Sequence, residues 1–281
     1  MKGYKGTNMK IIGKKLYLEL IVASFWYLIT IILLSIKLEM YLNSDLVYLF
    51  VSLVNMIGLL IIIKKNNQLY IFDFSLMSFL KGILVAAPLT IYTVYTVLDG
   101  IYEGINDFGS IGMNKQQFLI WGLGYFIGAG MCEEILSRGI YLNIFMTLLN
   151  GKRKVLLSMC YSSLLFGGFH FVNLFNHQVC VTDVVGQIIY SFGFGMLFAA
   201  IYIKVKNLWV NIVLHSLFDI GQSIYYECFS QQLESNTEIL GVKEYLMVCT
   251  IICFITVGLS LFIVKEKNTK TLFIKKKGMS Y

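Results

Sequence analysis

The sequence predicts an all-α fold: a polytopic transmembrane helical bundle of about eight spans, with both termini on the cytoplasmic side. Three observations predict it. Of 281 residues, 57% are hydrophobic and only 14% are charged, with a single proline, whereas ordinary globular domains carry about 25% charged residues. The apolar residues gather in runs of about 20, the length a helix needs to cross the hydrocarbon of a bilayer. Lysine and arginine concentrate in alternate connections between those runs, the pattern of loops that stay cytoplasmic.

Taken in order, the apolar runs place spans at 16–36, 46–63, 75–98, 118–149, 155–175, 182–203, 208–227 and 245–264. The first follows Lys2, Lys5, Lys10, Lys14 and Lys15 and reads as a span, not as a cleavable signal peptide. Lys81 and Pro88 make the third irregular, since proline removes a backbone donor and clashes with the preceding turn. The fourth is too long for one straight crossing, and Gly122, Gly124, Gly128 and Gly130 imply close packing, a bend or a re-entrant entry. Connections are short except 99–117 and 228–244.

The sidedness is consistent from loop to loop. One side carries the N-terminal lysines, Lys64 and Lys65, Lys152 to Lys154, Lys204 and Lys206, and the tail. The other carries only Lys37, Lys115 and Lys243, and collects Glu39, Asp45, Asp99, Glu103, Asp107, Glu234, Glu238 and Glu244. The net charge of +7 is therefore a topological signal and gives no reason to expect nucleic acid as a partner. The basic tail at 265–281 reads as an anchor to anionic lipid in the cell membrane. No repeat or low-complexity segment divides the chain, so 1–281 is expected to be one membrane domain. None of the six cysteines forms a CxxC pair or zinc-finger spacing; Cys180 and Cys228 both fall near the outer surface, which leaves a disulfide between them open.

Three of the spans carry ionisable groups with helical spacing, which cost roughly 2.5–3.5 kcal/mol each at membrane depth and so point to function. In the fourth, Glu133-Glu134-Ile135-Leu136-Ser137-Arg138 interrupts an otherwise uncharged run. Glu134 and Arg138 share a helix face, where an ion pair lowers the cost of both, and Glu133 is left as the carboxylate without a local partner. In the fifth, Phe166 and His170 stand four apart, and in the seventh His215 and Asp219 do the same. The carboxylate there is placed to fix the tautomer of the ring. The third histidine, His177, reads as an interfacial polar group. For His170 and His215 to share a site, the helices that carry them must begin at different heights or have other boundaries than these. Charged groups at such a place require a water-filled cavity between the helices.

These residues resemble the CAAX-protease and bacteriocin-processing (CPBP, or Abi) intramembrane endopeptidases. That family is identified by E-E-x-x-x-R, F-x-x-x-H and H-x-x-x-N or D on successive core helices; here the ordered set runs Glu133-Glu134-x-x-x-Arg138, Phe166-x-x-x-His170 and His215-x-x-x-Asp219, within a motif-bearing core of about 118–227. The resemblance implies a multi-pass peptidase that cuts a membrane-associated peptide or protein, with bacteriocin or pheromone precursors, or self-immunity, as the expected roles. By position, Glu133 would be the general base that activates water and His170 would help to position or deprotonate it. His215 and Asp219 would stabilise the oxyanion, while Glu134, Arg138 and Phe166 brace the site. An ionised Asp219 has no proton to donate, so it would orient His215, stay protonated, or bind a metal. The donor types of Glu133, His170, His215 and Asp219 match Zn2+, and the family has been described both as metal-dependent and as glutamate-type. The metal-free route is the expectation here.

Two other classes are weighed against the hydrolase. A non-catalytic membrane adaptor or immunity protein regulating a partner has no use for Glu133 and both histidines. A proton-coupled transporter also uses intramembrane Glu, His and Asp, yet the sequence has no evident inverted repeat of the kind many transporters are built from.

Overall fold

The computed structural model describes residues 2–38, 43–175, 179–229 and 241–265. Every element among them is helical, with no strand. The order is α1 (Lys2–Leu38), α2 (Ser44–Lys65), a 3-10 turn (Leu69–Phe72), α3 (Leu76–Val85), α4 (Ala87–Phe108) and α5 (Lys115–Tyr125). Two π-helical stretches follow, Phe126–Glu133 and Ile135–Leu142, and then α6 (Asn143–Leu148), α7 (Lys154–Phe169), a 3-10 turn (His170–Phe175), α8 (Val181–Val205), α9 (Leu208–Ile224), a π turn (Tyr225–Phe229) and α10 (Val242–Val264). His177 lies outside the described residues.

Six helical segments are long and apolar enough to cross a membrane, or seven when the bent pair α3–α4 counts as one span. That is below the expected eight, and the difference has two sources. The third run breaks at Ala86, where α3 and α4 meet at 84° beside Pro88 in the first turn of α4; proline is tolerated there because its missing N–H is one that a helix start leaves unpaired anyway. The seventh run is α9, only 17 residues long before its π turn. The expected loop at 99–117 is mostly the end of α4, which stops at Gly109 in a left-handed conformation (φ 75°), as C-terminal glycines commonly do. Asn114 then caps α5 with Gln117 in a reciprocal capping box.

The fourth run is one continuous helical rod, Lys115–Leu148, whose centre adopts π geometry. Ile135–Leu142 is buried at every position, so its irregular backbone is shielded by protein and not by lipid, the condition under which such backbone survives at membrane depth. Of the five glycines in this rod, four meet neighbours: a Cβ at Gly124 or Gly128 would run into Tyr48 of α2, one at Gly130 into Ser216 and Ile212 of α9, and one at Gly139 into Ile71. Gly122 faces open space. Glycine thus lets α2 and α9 close on the rod from two sides, the close packing the sequence foretold.

The starts of α7 and α9 differ in burial. The start of α7 lies at an exposed Arg153, but α9 begins at Asn207 and Leu208, both fully buried. Asn207 donates through Nδ2 to the carbonyl of Ser75 (3.2 Å) and to Ser78 Oγ (2.9 Å), and Trp209 Nε1 donates to the carbonyl of Phe72 (3.1 Å). These bonds hold the first turn of α9 inside the bundle.

Candidate functional site

Around Glu134, the site is a buried ionic core, in which Arg138 Nε and Asn211 Oδ1 are left without a hydrogen-bond partner among the described residues. Arg138 Nη1 lies 2.9 Å from Glu134 Oε1, with both side chains buried, the pair four apart that the sequence placed on one face. Asn211 Nδ2 donates to Glu134 Oε2 (3.1 Å) and to the carbonyl of Phe198 (2.8 Å). Arg138 Nη2 donates to the carbonyl of Gly195 on α8 (3.2 Å), and its guanidinium stacks over Phe166 and Phe198, 4.8 Å and 5.3 Å from the ring centroids. Charge, donors and aromatic faces together compensate the desolvation of two ions, which neither partner alone would overcome.

Glu134 also holds His215: Nδ1 lies 2.9 Å from Glu134 Oε1. The sequence assigned that part to Asp219, one helical turn on. The structure gives Asp219 the opposite edge of the ring, with Oδ2 3.8 Å from Nε2, because Glu134 reaches Nδ1 from the neighbouring helix. Glu133 Oε2 is also 3.8 Å from Nε2. Nε2 therefore points between two carboxylates at a distance beyond a direct hydrogen bond. Phe198 stacks on the imidazole (5.1 Å, 29°) and fixes its plane.

Glu133 has no partner on its own helix, as expected, but Tyr27 of α1 donates to its Oε1 at 3.3 Å. His170 opens the 3-10 turn after α7, so the chain turns away just where the ring projects. Phe166 lies edge-on to both imidazoles, 5.6 Å from His170 and 5.8 Å from His215. Glu133, His170, His215 and Asp219 all line one cavity of about 660 Å³, with Phe166 and Phe198 in its wall. Contributions from the rod, α7 and α9 thus converge on one space between the helices.

Among the described residues no three His, Cys, Asp or Glu side chains are arranged to hold a metal. His215 has one ring nitrogen committed to Glu134, and the other stands off from both carboxylates. The four residues share a cavity without forming a coordination set, so no step below is routed through a metal. Cys180 and Cys228 are free thiols, one exposed and one buried, and the disulfide left open by the sequence is not formed.

The sequence reading missed Asn211, Tyr27 and Phe198. Asn211 had a signal: Asn211, His215 and Asp219 recur every four residues along one face of α9. For Tyr27 and Phe198 there was none, since each is an aromatic residue in an apolar span.

Fold and site define a class, the multi-pass helical membrane proteins with a carboxylate–imidazole site buried among their spans. Residues 115–221 match the family model Type II CAAX prenyl endopeptidase Rce1-like. That stretch runs from the start of α5 to just past Asp219 and contains all three motifs. The match supports a peptidase, the class the motif resemblance implied. No curated protein matches the chain.

Proposed function

We propose that the protein is an intramembrane endopeptidase of the CAAX-protease type, residing in the cell membrane, that hydrolyses a peptide bond in a membrane-associated peptide or protein, with a short precursor peptide as the substrate. The observation that carries this is the convergence of Glu133, His170, His215 and Asp219 from separate helical segments on one cavity large enough for an extended peptide and water. In the proposed reaction Glu133 takes a proton from water as its oxygen bonds to the scissile carbonyl carbon. His170, across the cavity, positions that water. The carbonyl oxygen becomes an oxyanion, and Nε2–H of His215, aimed by the Nδ1 bond to Glu134, donates to it. Asp219 keeps His215 charged and oriented instead of touching the oxyanion itself. Collapse of the intermediate breaks the C–N bond, and the proton held by Glu133 passes to the leaving nitrogen.

The test is cleavage of membrane-associated peptides by the purified protein in proteoliposomes, followed by mass spectrometry. Glu133→Gln and His170→Ala are expected to lose ~10²–10⁴-fold in kcat with expression and melting behaviour near wild type, and a chelator is expected to leave the rate unchanged. Full activity in both variants would remove the hydrolase reading.

A further inference from the structure

The proposed reaction leaves one polar contact of the cavity wall unused. Asn173 Nδ2 donates to Gln187 Oε1 at 2.7 Å, and both side chains line the space that Glu133, His170 and His215 share. Asn173 belongs to the 3-10 turn His170–Phe175 and Gln187 to α8, so the bond also ties the turn that carries His170 to the neighbouring helix. Residues three apart in a 3-10 turn lie on one face, which sets Asn173 beside His170. From Gln187 the wall continues along α8 through Tyr190, Ser191 and Phe194 to Phe198, the ring stacked on His215.

A side-chain amide carries one acceptor oxygen and two N–H donors. Bonded to each other, these two leave over the oxygen of Asn173 and the Nε2 group of Gln187; exchanging O and N in both amides leaves a set of the same kind. Among the described residues no other hydrogen bond engages either amide, and both side chains are part-buried, not sealed in protein. An acceptor and a donor side by side are the complement of the N–H and C=O that an extended chain presents along its edge. In a helix those groups are bonded within the segment, so a helical peptide has neither to offer.

We infer that Asn173 and Gln187 bind the backbone of the substrate: Asn173 Oδ1 accepts from a peptide N–H and Gln187 Nε2 donates to a peptide C=O. The cavity then selects an extended segment over a helical one and reads little of its side chains at this point. One turn of 3-10 helix separates Asn173 from His170, about 6 Å, so the subsite lies about two residues from the scissile bond at ~3.3 Å per extended residue. Cleavage of that bond rests on the endopeptidase reading; the binding does not.

The experiment measures binding and cleavage separately. A dansyl-labelled decapeptide of alternating alanine and leucine is titrated by fluorescence anisotropy onto detergent-purified Glu133→Gln protein, which holds it without turnover. Two twins, N-methylated at every alanine or at every leucine, are titrated beside it. In an extended chain side chains and N–H groups alternate together, so the leucines fix which edge meets Asn173 and each twin lacks the N–H groups of one edge. One twin is expected to bind about fivefold weaker than the other, the loss of a single hydrogen bond. Adding Asn173→Leu should weaken the unmethylated peptide by the same factor and abolish the difference between the twins. Asn173→Asp, which keeps an acceptor, should preserve that difference. Twins of equal affinity, a difference that survives Asn173→Leu, or no binding of the unmethylated peptide at millimolar concentration would overturn the inference. In the otherwise wild-type protein Asn173→Leu should raise KM by about the same factor, with kcat within about twofold. A fall in kcat at unchanged KM would mean that the pair only braces His170, and would overturn it too. Absence of any cleavage with the twins still distinguished would refute the hydrolase and leave the binding inference standing.

Discussion

Replacing Arg138 with methionine tests whether the ionic core is what holds the site together. The change keeps the length and apolar bulk of the side chain and removes its charge. Glu134 would then be a fully buried carboxylate with only Asn211 and His215 left as partners. Breaking a buried pair by removing one partner costs about 3–5 kcal/mol, and loss of the guanidinium from the faces of Phe166 and Phe198 adds about 0.5–2. Glu134→Gln is expected to cost a similar amount for the converse reason, a guanidinium stranded in the core. The double variant removes both charges while the glutamine oxygen still accepts from Asn211, so its cost should fall well short of the sum, with a coupling of about 3 kcal/mol. Equilibrium unfolding in mixed micelles, read by circular dichroism, gives all four values of the cycle. An Arg138→Met loss under about 1 kcal/mol, or strictly additive single effects, would refute the reasoning, since either means that the buried charges do not depend on each other.

Further expectations come from the same geometry. Tyr27→Phe removes one 3.3 Å hydrogen bond to Glu133, so kcat should change several-fold while stability moves by about 1 kcal/mol or less. Asn211→Leu takes a donor from both Glu134 and the Phe198 carbonyl; about 1–3 kcal/mol should be lost in the unfolding assay, with activity falling as His215 loses its fixed acceptor. Gly130→Ala puts a methyl group into Ser216 and the Ile212 carbonyl, forcing α9 off the rod at about 1–3 kcal/mol and displacing His215 with it. Gly122→Ala, which meets nothing within 4 Å, is the control, expected to be neutral or slightly stabilising through its better helix propensity. Equal behaviour of the two alanines would contradict the packing described for this rod.

The helical class and the chemistry-bearing positions were legible because both are local properties. An apolar run reports its own need for lipid or a core, and residues four apart on a helix share a face whatever surrounds them; the Glu134–Arg138 pair was readable for that reason. The bend at Ala86 followed from Pro88 in the same way. The shortness of α9 was not readable, because an apolar run also continues through a π turn and into buried protein. The expected eight spans include that run, of which 17 residues are α-helix and the rest a π turn.

Glu133, Glu134, Arg138, His170, His215 and Asp219 were thus legible as candidates in the sequence alone, as residue types that membrane burial makes expensive, and Phe166 by its place in the motif. Only the tertiary structure decided how they pair. His215 meets Glu134 across 81 positions of chain and Glu133 meets Tyr27 across 106, and those choices depend on how deep α9 starts and how closely glycine lets the helices approach. The i, i+4 reading joined His215 to Asp219 because that is the nearest carboxylate along one helix. Glu134 takes Nδ1 at 2.9 Å while Asp219 stands 3.8 Å from Nε2, an arrangement set by how α9 packs on the rod, and no spacing within one segment encodes the position of another.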